Sequence, residues 1–380
     1  MELILKQYDI PLLRFSATND SSTPEIEVHW INEDQRHLLP LDMELSPEGI
    51  SRWMRRRTIP RNRAYVNRLL AKCGLNVNRP MGILALCKGL SVDDSYWVVE
   101  EGFEGTFEKY NLFENRFSEV LALIAFTGYG SSNRSSLASS PEFTTNGMLP
   151  KCWRRISGKV TLYKGGTDGG YNTGAEPYCE YYAAQVAAAM GIDAIPYGLS
   201  QWKGRLCSTC ELFTDIDHAY MPIGNLVQRG GFDAVAAYYE NLGEPFQKAF
   251  RDMLVFDAVI CNTDRHYGNF GFMIDNKTNT IAAPAPLFDH GNSLFNQAGP
   301  EDYESPEAFQ QYIDTLVPCV YDDFFATAKR FMTDENREQL RKLLGFRFKR
   351  HVRYNLPPKR LKLMEEQVRK RAMRLLENKD

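Results

Sequence analysis

No apolar run in this chain approaches the about 18 residues that a helix needs to cross a bilayer, which argues against a membrane-spanning protein. The opening Met1-Glu2-Leu3-Ile4-Leu5-Lys6-Gln7 sets an early acid beside a short apolar run, a poor export signal. The 8 cysteines follow no framework spacing. Only Cys207-Ser208-Thr209-Cys210 forms a close pair, and no second Cys or His pair stands at zinc distance from it. Free thiols in a reducing cytoplasm are therefore expected. No Gly-x-Gly-x-x-Gly precedes Lys164, so a three-glycine phosphate cover is excluded there.

What remains is ordinary globular material: 380 residues, 43% hydrophobic and 24% charged, with room for two or three domains. The net charge of −3 conceals an asymmetry. Residues 341–380 carry 14 Lys/Arg against 4 Asp/Glu, leaving 31 basic and 44 acidic groups on the rest. A basic end on an acidic body can bind nucleic acid or dock against its own body.

The richest stretch is Cys261-Asn262-Thr263-Asp264-Arg265-His266-Tyr267-Gly268-Asn269, followed by the apolar Phe270 to Ile274 and then by Leu287-Phe288-Asp289-His290-Gly291. Phosphoryl transfer needs a carboxylate to accept the attacking hydroxyl's proton, and an Asn and an Asp to hold magnesium. Protein kinases carry these as Asp-x4-Asn and then Asp-x-Gly one hairpin later. Asp264 and Asn269 have the first spacing, and Asp289-His290-Gly291 the second. Asp264 is thus the candidate base, with Asn269 and Asp289 facing the metal. His266 can orient the turn or simply pack, and Arg265 can meet a phosphate or pair with an acid.

Asn262 to His266, with Asn269-Phe270-Gly271, resembles the catalytic loop of the HipA-like serine/threonine kinases, which include bacterial toxin kinases. The resemblance spans roughly residues 125 to 300. It implies an α+β, two-lobed protein-kinase-like fold, with a small β-rich lobe and a large helical lobe. It also implies ATP and Mg²⁺ as cofactors and a protein hydroxyl as acceptor. In that family the ATP-covering loop is polar, and Thr144-Thr145-Asn146-Gly147 with Lys151 resembles it. Some members phosphorylate a serine of their own near this loop; Ser131 to Ser140 here are either such a target or a linker.

A kinase also holds ATP through a small-lobe lysine paired with a glutamate on the next helix. Val160 to Lys164 alternates as a strand and ends on that lysine. Glu176-Pro177 opens a helix closed by Gly191, with Glu180 the first choice of partner and Glu176 the second. Glu211 to Phe213 stands where the adenine hinge is expected. Pro245 to Ile260 is a buried helix that delivers the catalytic turn, with apolar residues at steps of three and four.

Elsewhere, Asn146-Gly147 signals a hairpin turn, Leu112 to Phe126 a helix, and the chain beyond Pro306 helix to the end. The cluster Arg52, Arg55, Arg56, Arg57, Arg61, Arg63 and Arg68 reads as a solvated face or a contact surface. Arg360, Lys370, Arg371 and Arg374 read as the polar side of a last amphipathic helix. The division expected is an accessory region over 1–90, a small lobe with hinge over 91–213, and a helical large lobe over 214–380. The function expected is phosphorylation of a protein Ser/Thr by a cytoplasmic enzyme, with an antitoxin-like or DNA-binding partner allowed and no membrane. The alternatives are a small-molecule kinase, or a non-catalytic regulator that binds DNA or a partner.

Overall fold

The computed structural model describes residues 1–18, 24–130, 140–170 and 172–377. Its contacts divide the chain into two compact units. One comprises Met1–Lys164, Glu211–Met221 and Met273–Ala282; the other comprises Gly165–Cys210, Pro222–Phe272 and Ala283–Asp380. These cuts fall elsewhere than at 90 and 213, because the first unit gathers three separate stretches of chain around one core.

That core forms on both faces of an antiparallel sheet of β1 (Glu2–Gln7), β2 (Ile10–Ala17), β3 (Ile26–Ile31) and β4 (Tyr96–Glu100), in the order β3-β2-β1-β4. Period-two alternation sends Leu3, Leu5, Phe15 and Val98 to one face, against Ile50, Trp53 and Met54 of the helix Pro47–Arg56. The expected start of that helix is present: Ser46 Oγ accepts from Gly49 N at 3.1 Å, and Pro47 takes the first helical position. The other face carries Trp97 and Val99. They pack with Phe107, Leu112, and with Trp153 and Val160 from the hairpin of β5 (Lys151–Ile156) and β6 (Lys159–Gly165).

Several expectations are corrected here. The hairpin turn is Ser157-Gly158, both at positive φ; Asn146-Gly147 lies before β5 in an irregular segment. The helix expected over 112–126 is Glu119–Thr127, because Asn111 Oδ1 accepts from Phe113 N and Glu114 N in a local turn and Ser118 supplies the cap. Two of the clustered arginines are buried. Arg57 donates to both oxygens of Asp94 at 2.6 and 2.8 Å, and lies 4.7 Å over the Trp53 ring. Arg63 pairs with Glu142.

Residues 1–90 also grip the loop at 275–279. Gln7 Nε2 donates to Asn276 O at 2.7 Å, and Asn279 Nδ2 donates to His37 O and Leu39 O at 2.8 and 2.7 Å. Asp275 caps the same loop, accepting from Lys277 N and Thr278 N.

Just ahead of β4, Asp93 accepts from Ser91 Oγ at 2.9 Å. Burial, with Asp94 adjacent, raises its pKa from 3.8 to about 6. The folded state therefore binds this proton more tightly than the unfolded state. The associated stability is full below about pH 4 and is lost as pH rises through about 6. Asp93→Asn should raise the melting midpoint at pH 7.5 and give no gain at pH 4, which paired thermal melts will check.

In the second unit, Glu244–Ile260 is the central helix, and Phe250, Met253, Leu254, Phe256 and Ile260 are buried. Tyr239 stacks on Phe250 at 4.8 Å. Beyond Pro306 the chain is not continuous helix. Helices Pro306–Asp314, Phe324–Phe331, Asp334–Arg341 and Pro358–Leu376 are separated by irregular chain, the longest at 342–357. There Phe348 packs on Tyr182 at 4.7 Å, so aromatic docking takes the place of backbone pairing. The last helix buries Leu361, Met364, Val368 and Leu375 as its stripe requires. Arg371, expected on the polar side, is buried as well. Its Nε donates to Ala258 O at 2.6 Å and its guanidinium faces the Phe325 ring at 4.5 Å. Arg360 likewise turns inward, donating to Phe295 O and Asn296 O.

Candidate active site

The helix Glu244–Ile260 ends because Cys261 takes a left-handed conformation, φ 54°, with its N–H returned to Asp257 O. Asn262 then bridges the stop to the turn. Its Nδ2 donates to Asp257 Oδ1 at 3.1 Å while its Oδ1 accepts from Asp264 N at 3.1 Å. Asp264 is thereby aimed by its own neighbour. Asn292 Nδ2 donates to Asp264 Oδ2 at 2.9 Å, and Asn296 steadies Asn292 in turn. Asn269 is buried, with Nδ2 donating to Asp264 O at 3.2 Å.

Arg265 is the tie among these parts. It is 1% exposed, and its donors are turned to an acid and to backbone carbonyls of the protein. Its Nε and Nη2 donate to the two oxygens of Asp257 at 2.8 and 3.0 Å, a bidentate pair. Its Nη1 donates to Asn269 O at 3.1 Å and to Phe288 O at 2.6 Å, and Nη2 meets His290 Nδ1 at 3.1 Å. One guanidinium therefore fixes the residue after Asp-x4 and both neighbours of Asp289. His266 is exposed, and its Nδ1 accepts from Gly268 N at 3.0 Å, so it shapes the turn.

Asp289 sits at φ 54°, a strained position that Asp tolerates better than most residues, and its N–H donates to Tyr197 Oη at 3.1 Å. Gly291 follows because the helix Glu176–Met190 passes close by: an added Cβ would lie 3.2 Å from Glu176 Cβ and 3.6 Å from Glu180 Oε1. Of the two glutamates, Glu176 accepts from Thr167 N and Oγ1. Glu180 is fully buried and accepts from Ser208 Oγ.

In the first unit, Lys164 and Lys151 are both buried and directly opposed in the β5–β6 register. Lys151 Nζ donates to Asn146 O at 2.8 Å, and Gly147, at φ 90°, is where a Cβ would meet that nitrogen. Thr144 Oγ1 donates to Leu90 O and Thr145 Oγ1 to Pro141 O, so one hydroxyl ties the segment to Leu90 and the other to its own preceding turn. Leu212 N donates to Val160 O at 2.9 Å, just past the end of the strand Arg205–Glu211. The Glu211 side chain pairs with Lys159 at 2.7 Å. The serines at 131–139 lie outside the described residues.

Asn269 and Asp289 offer oxygen donors, which suit Mg²⁺. Among the described residues no cluster of three or more His, Cys, Asp or Glu could hold a metal ion. Sequence reasoning missed Tyr197, Asn292, Asp257 and Ser208. Only Asp257 left a signal, as an acid within the apolar Leu254-Val255-Phe256-Asp257-Ala258-Val259-Ile260.

No family model matches the chain. It is 27% identical over 135 residues to the serine/threonine-protein kinase CtkA of Helicobacter pylori strain J99. That match covers 32% of this chain and 41% of the relative, so the chain spans less than half of that protein's length. Among solved structures it is similar to a Shewanella oneidensis MR-1 toxin–antitoxin complex of HipA, HipB and operator DNA, at TM-score 0.52 and 13% identity over 98% of this chain and 97% of that one. The H. pylori proinflammatory kinase CtkA gives TM-score 0.49 and 15% identity, over 61% of this chain and 90% of that one. The fold is thus the two-lobed, kinase-like one expected from the sequence. Among the described residues no helix is long and apolar enough to cross a membrane.

Proposed function

We propose that this chain is an ATP- and Mg²⁺-dependent kinase that transfers a phosphoryl group to a Ser or Thr hydroxyl of a protein. The observation that carries the reading is Arg265. A single buried guanidinium binds the carbonyls of Asn269 and Phe288, so the turn carrying Asp264 and Asn269 is tied to the Asp-x-Gly segment. A scaffold without chemistry has no physical need to hold Asp264, Asn269 and Asp289 together in this way.

In the proposed mechanism Asp264 orients the acceptor hydroxyl and takes its proton, with Asn292 holding Oδ2 so that Oδ1 meets the substrate. Asn269 Oδ1 and the Asp289 carboxylate would hold magnesium, which supplies charge neutralisation on the transferred group. Lys164, with Lys151 opposite, neutralises nucleotide phosphates, and Glu180 is its proposed partner. The backbone of Glu211 to Phe213 takes the adenine, and residues 1–90 serve as the accessory region. Most of the rate enhancement comes from positioning and preorganised charge. An antitoxin-like protein in the cytoplasm is the proposed partner class, in keeping with HipB beside HipA in the similar complex.

Incubation with labelled ATP and Mg²⁺, followed by site mapping, tests the reading. Label on Ser or Thr is expected, on an added protein acceptor or on the 131–140 stretch. Neither label nor thermal stabilisation by ATP would refute it.

A further inference from the structure

We infer that Arg63 is a positioning residue for the nucleotide loop, which makes residues 1–90 part of the catalytic apparatus; this rests on the kinase reading above. Between the single turn Pro141–Phe143 and β5, residues 144–150 form no helix and no strand, so no regular backbone pairing holds them. Arg63 holds them instead. Its Nη2 donates to Glu142 Oε2 at 2.5 Å and to Lys151 O at 2.9 Å. Its Nη1 donates to Glu142 O and, at 3.4 Å, to Thr145 O. One planar fork therefore grips both ends of the segment that carries Asn146, Gly147 and Lys151.

The acid side is equally committed. Glu142 Oε1 accepts from Trp153 N at 2.8 Å, tying the pair to β5. Two further bonds run from the same region of the chain: Ala64 N to Met148 O at 2.9 Å, and Thr144 Oγ1 to Leu90 O at 2.9 Å. Arg63 is 3% exposed and Glu142 fully buried. A buried ion pair is poor value for stability alone, since apolar residues of like volume often do as well. What the fork supplies here is geometry: it fixes where Asn146 O meets Lys151 Nζ, and so where the lysine and the Gly147 backbone face a phosphate. Arg63 itself touches no nucleotide in this scheme.

The test uses the full chain and three variants. Arg63→Met/Glu142→Gln removes both charges together, Arg63→Lys keeps the charge without the fork, and Ile50→Val is a core truncation away from the loop. ATP affinity is read by calorimetry, turnover by steady-state kinetics, and loop order by amide hydrogen exchange over 144–152. The double variant should bind ATP about tenfold or more weakly, as a misplaced loop would. Its kcat should stay within about threefold of wild type, and its loop exchange should speed up. Arg63→Lys should fall between, and Ile50→Val should change neither loop exchange nor ATP affinity. Unchanged exchange and affinity in a folded double variant would overturn the inference. So would matching losses in Ile50→Val, which would reduce Arg63 to general stability. A wild type that binds no ATP would instead remove the kinase reading. Faster loop exchange in the variant would then leave Arg63 ordering a loop that serves no nucleotide, and the inference would fall with that result.

Discussion

Asp264→Asn and Asp289→Asn should each reduce phosphotransfer to background while leaving the protein folded. Asparagine is the informative replacement at both positions. At 264 it keeps an oxygen to accept from Asn292 Nδ2, so the turn persists while the proton acceptor is gone. At 289 it tolerates the left-handed φ of 54°, which alanine does not, so charge is removed without added backbone strain. Loss of general-base assistance alone is worth about 10²–10⁴-fold. Unfolding free energies should stay within about 0.5 kcal/mol of wild type at position 264, where the side chain is only partly buried. Initial rates at saturating ATP, with denaturant curves on the same preparations, decide the matter. Near-normal turnover in either variant would end the assignment of roles.

Arg265→Met should be the most damaging single change to the second unit's stability, at about 3–5 kcal/mol. It strands Asp257, which is fully buried, and leaves the carbonyls of Asn269 and Phe288 without this donor. Arg265→Lys should recover little, because an ammonium cannot reproduce the two-pronged contact with Asp257. Adding Asp257→Asn to Arg265→Met should return part of the lost stability and none of the activity, since the stranded charge is gone but the frame is still missing. Urea unfolding of wild type, Arg265→Met, Asp257→Asn and the double variant forms a double-mutant cycle whose coupling term measures the pair. Additive effects would show that Asp257 is not the partner that matters.

The candidate site was legible where its chemistry is local. Asp264 to Asn269 is six residues of turn, and several of the bonds that shape it are local: Asn262 to Asp264, His266 to Gly268, Asn269 back to Asp264. Helix starts at Ser46-Pro47 and Glu176-Pro177, and the stop at Gly191, were equally readable, because caps act over three or four residues. The periodicity of Glu244–Ile260 announced a buried helix for the same reason.

The misreadings concern charges whose partners lie far along the chain. Arg371 falls on the polar side of its helical pattern, yet Phe324 and Phe325, more than forty positions earlier, supply ring faces that let it be buried. Arg57 and Arg63 read as members of a solvated cluster until Asp94 and Glu142 stand beside them. By itself the sequence determined the turn after Cys261, the helix starts at Ser46-Pro47 and Glu176-Pro177, and the buried helix Glu244–Ile260, with residue types that suit the chemistry proposed. Tertiary structure alone decided that Arg265 joins two motifs 20 residues apart, that Tyr197 holds Asp289, and that Arg63 reaches Glu142. The reason is physical: a cap or a turn is set by neighbours along the chain, whereas a buried charge is tolerable only where the whole fold brings it a partner.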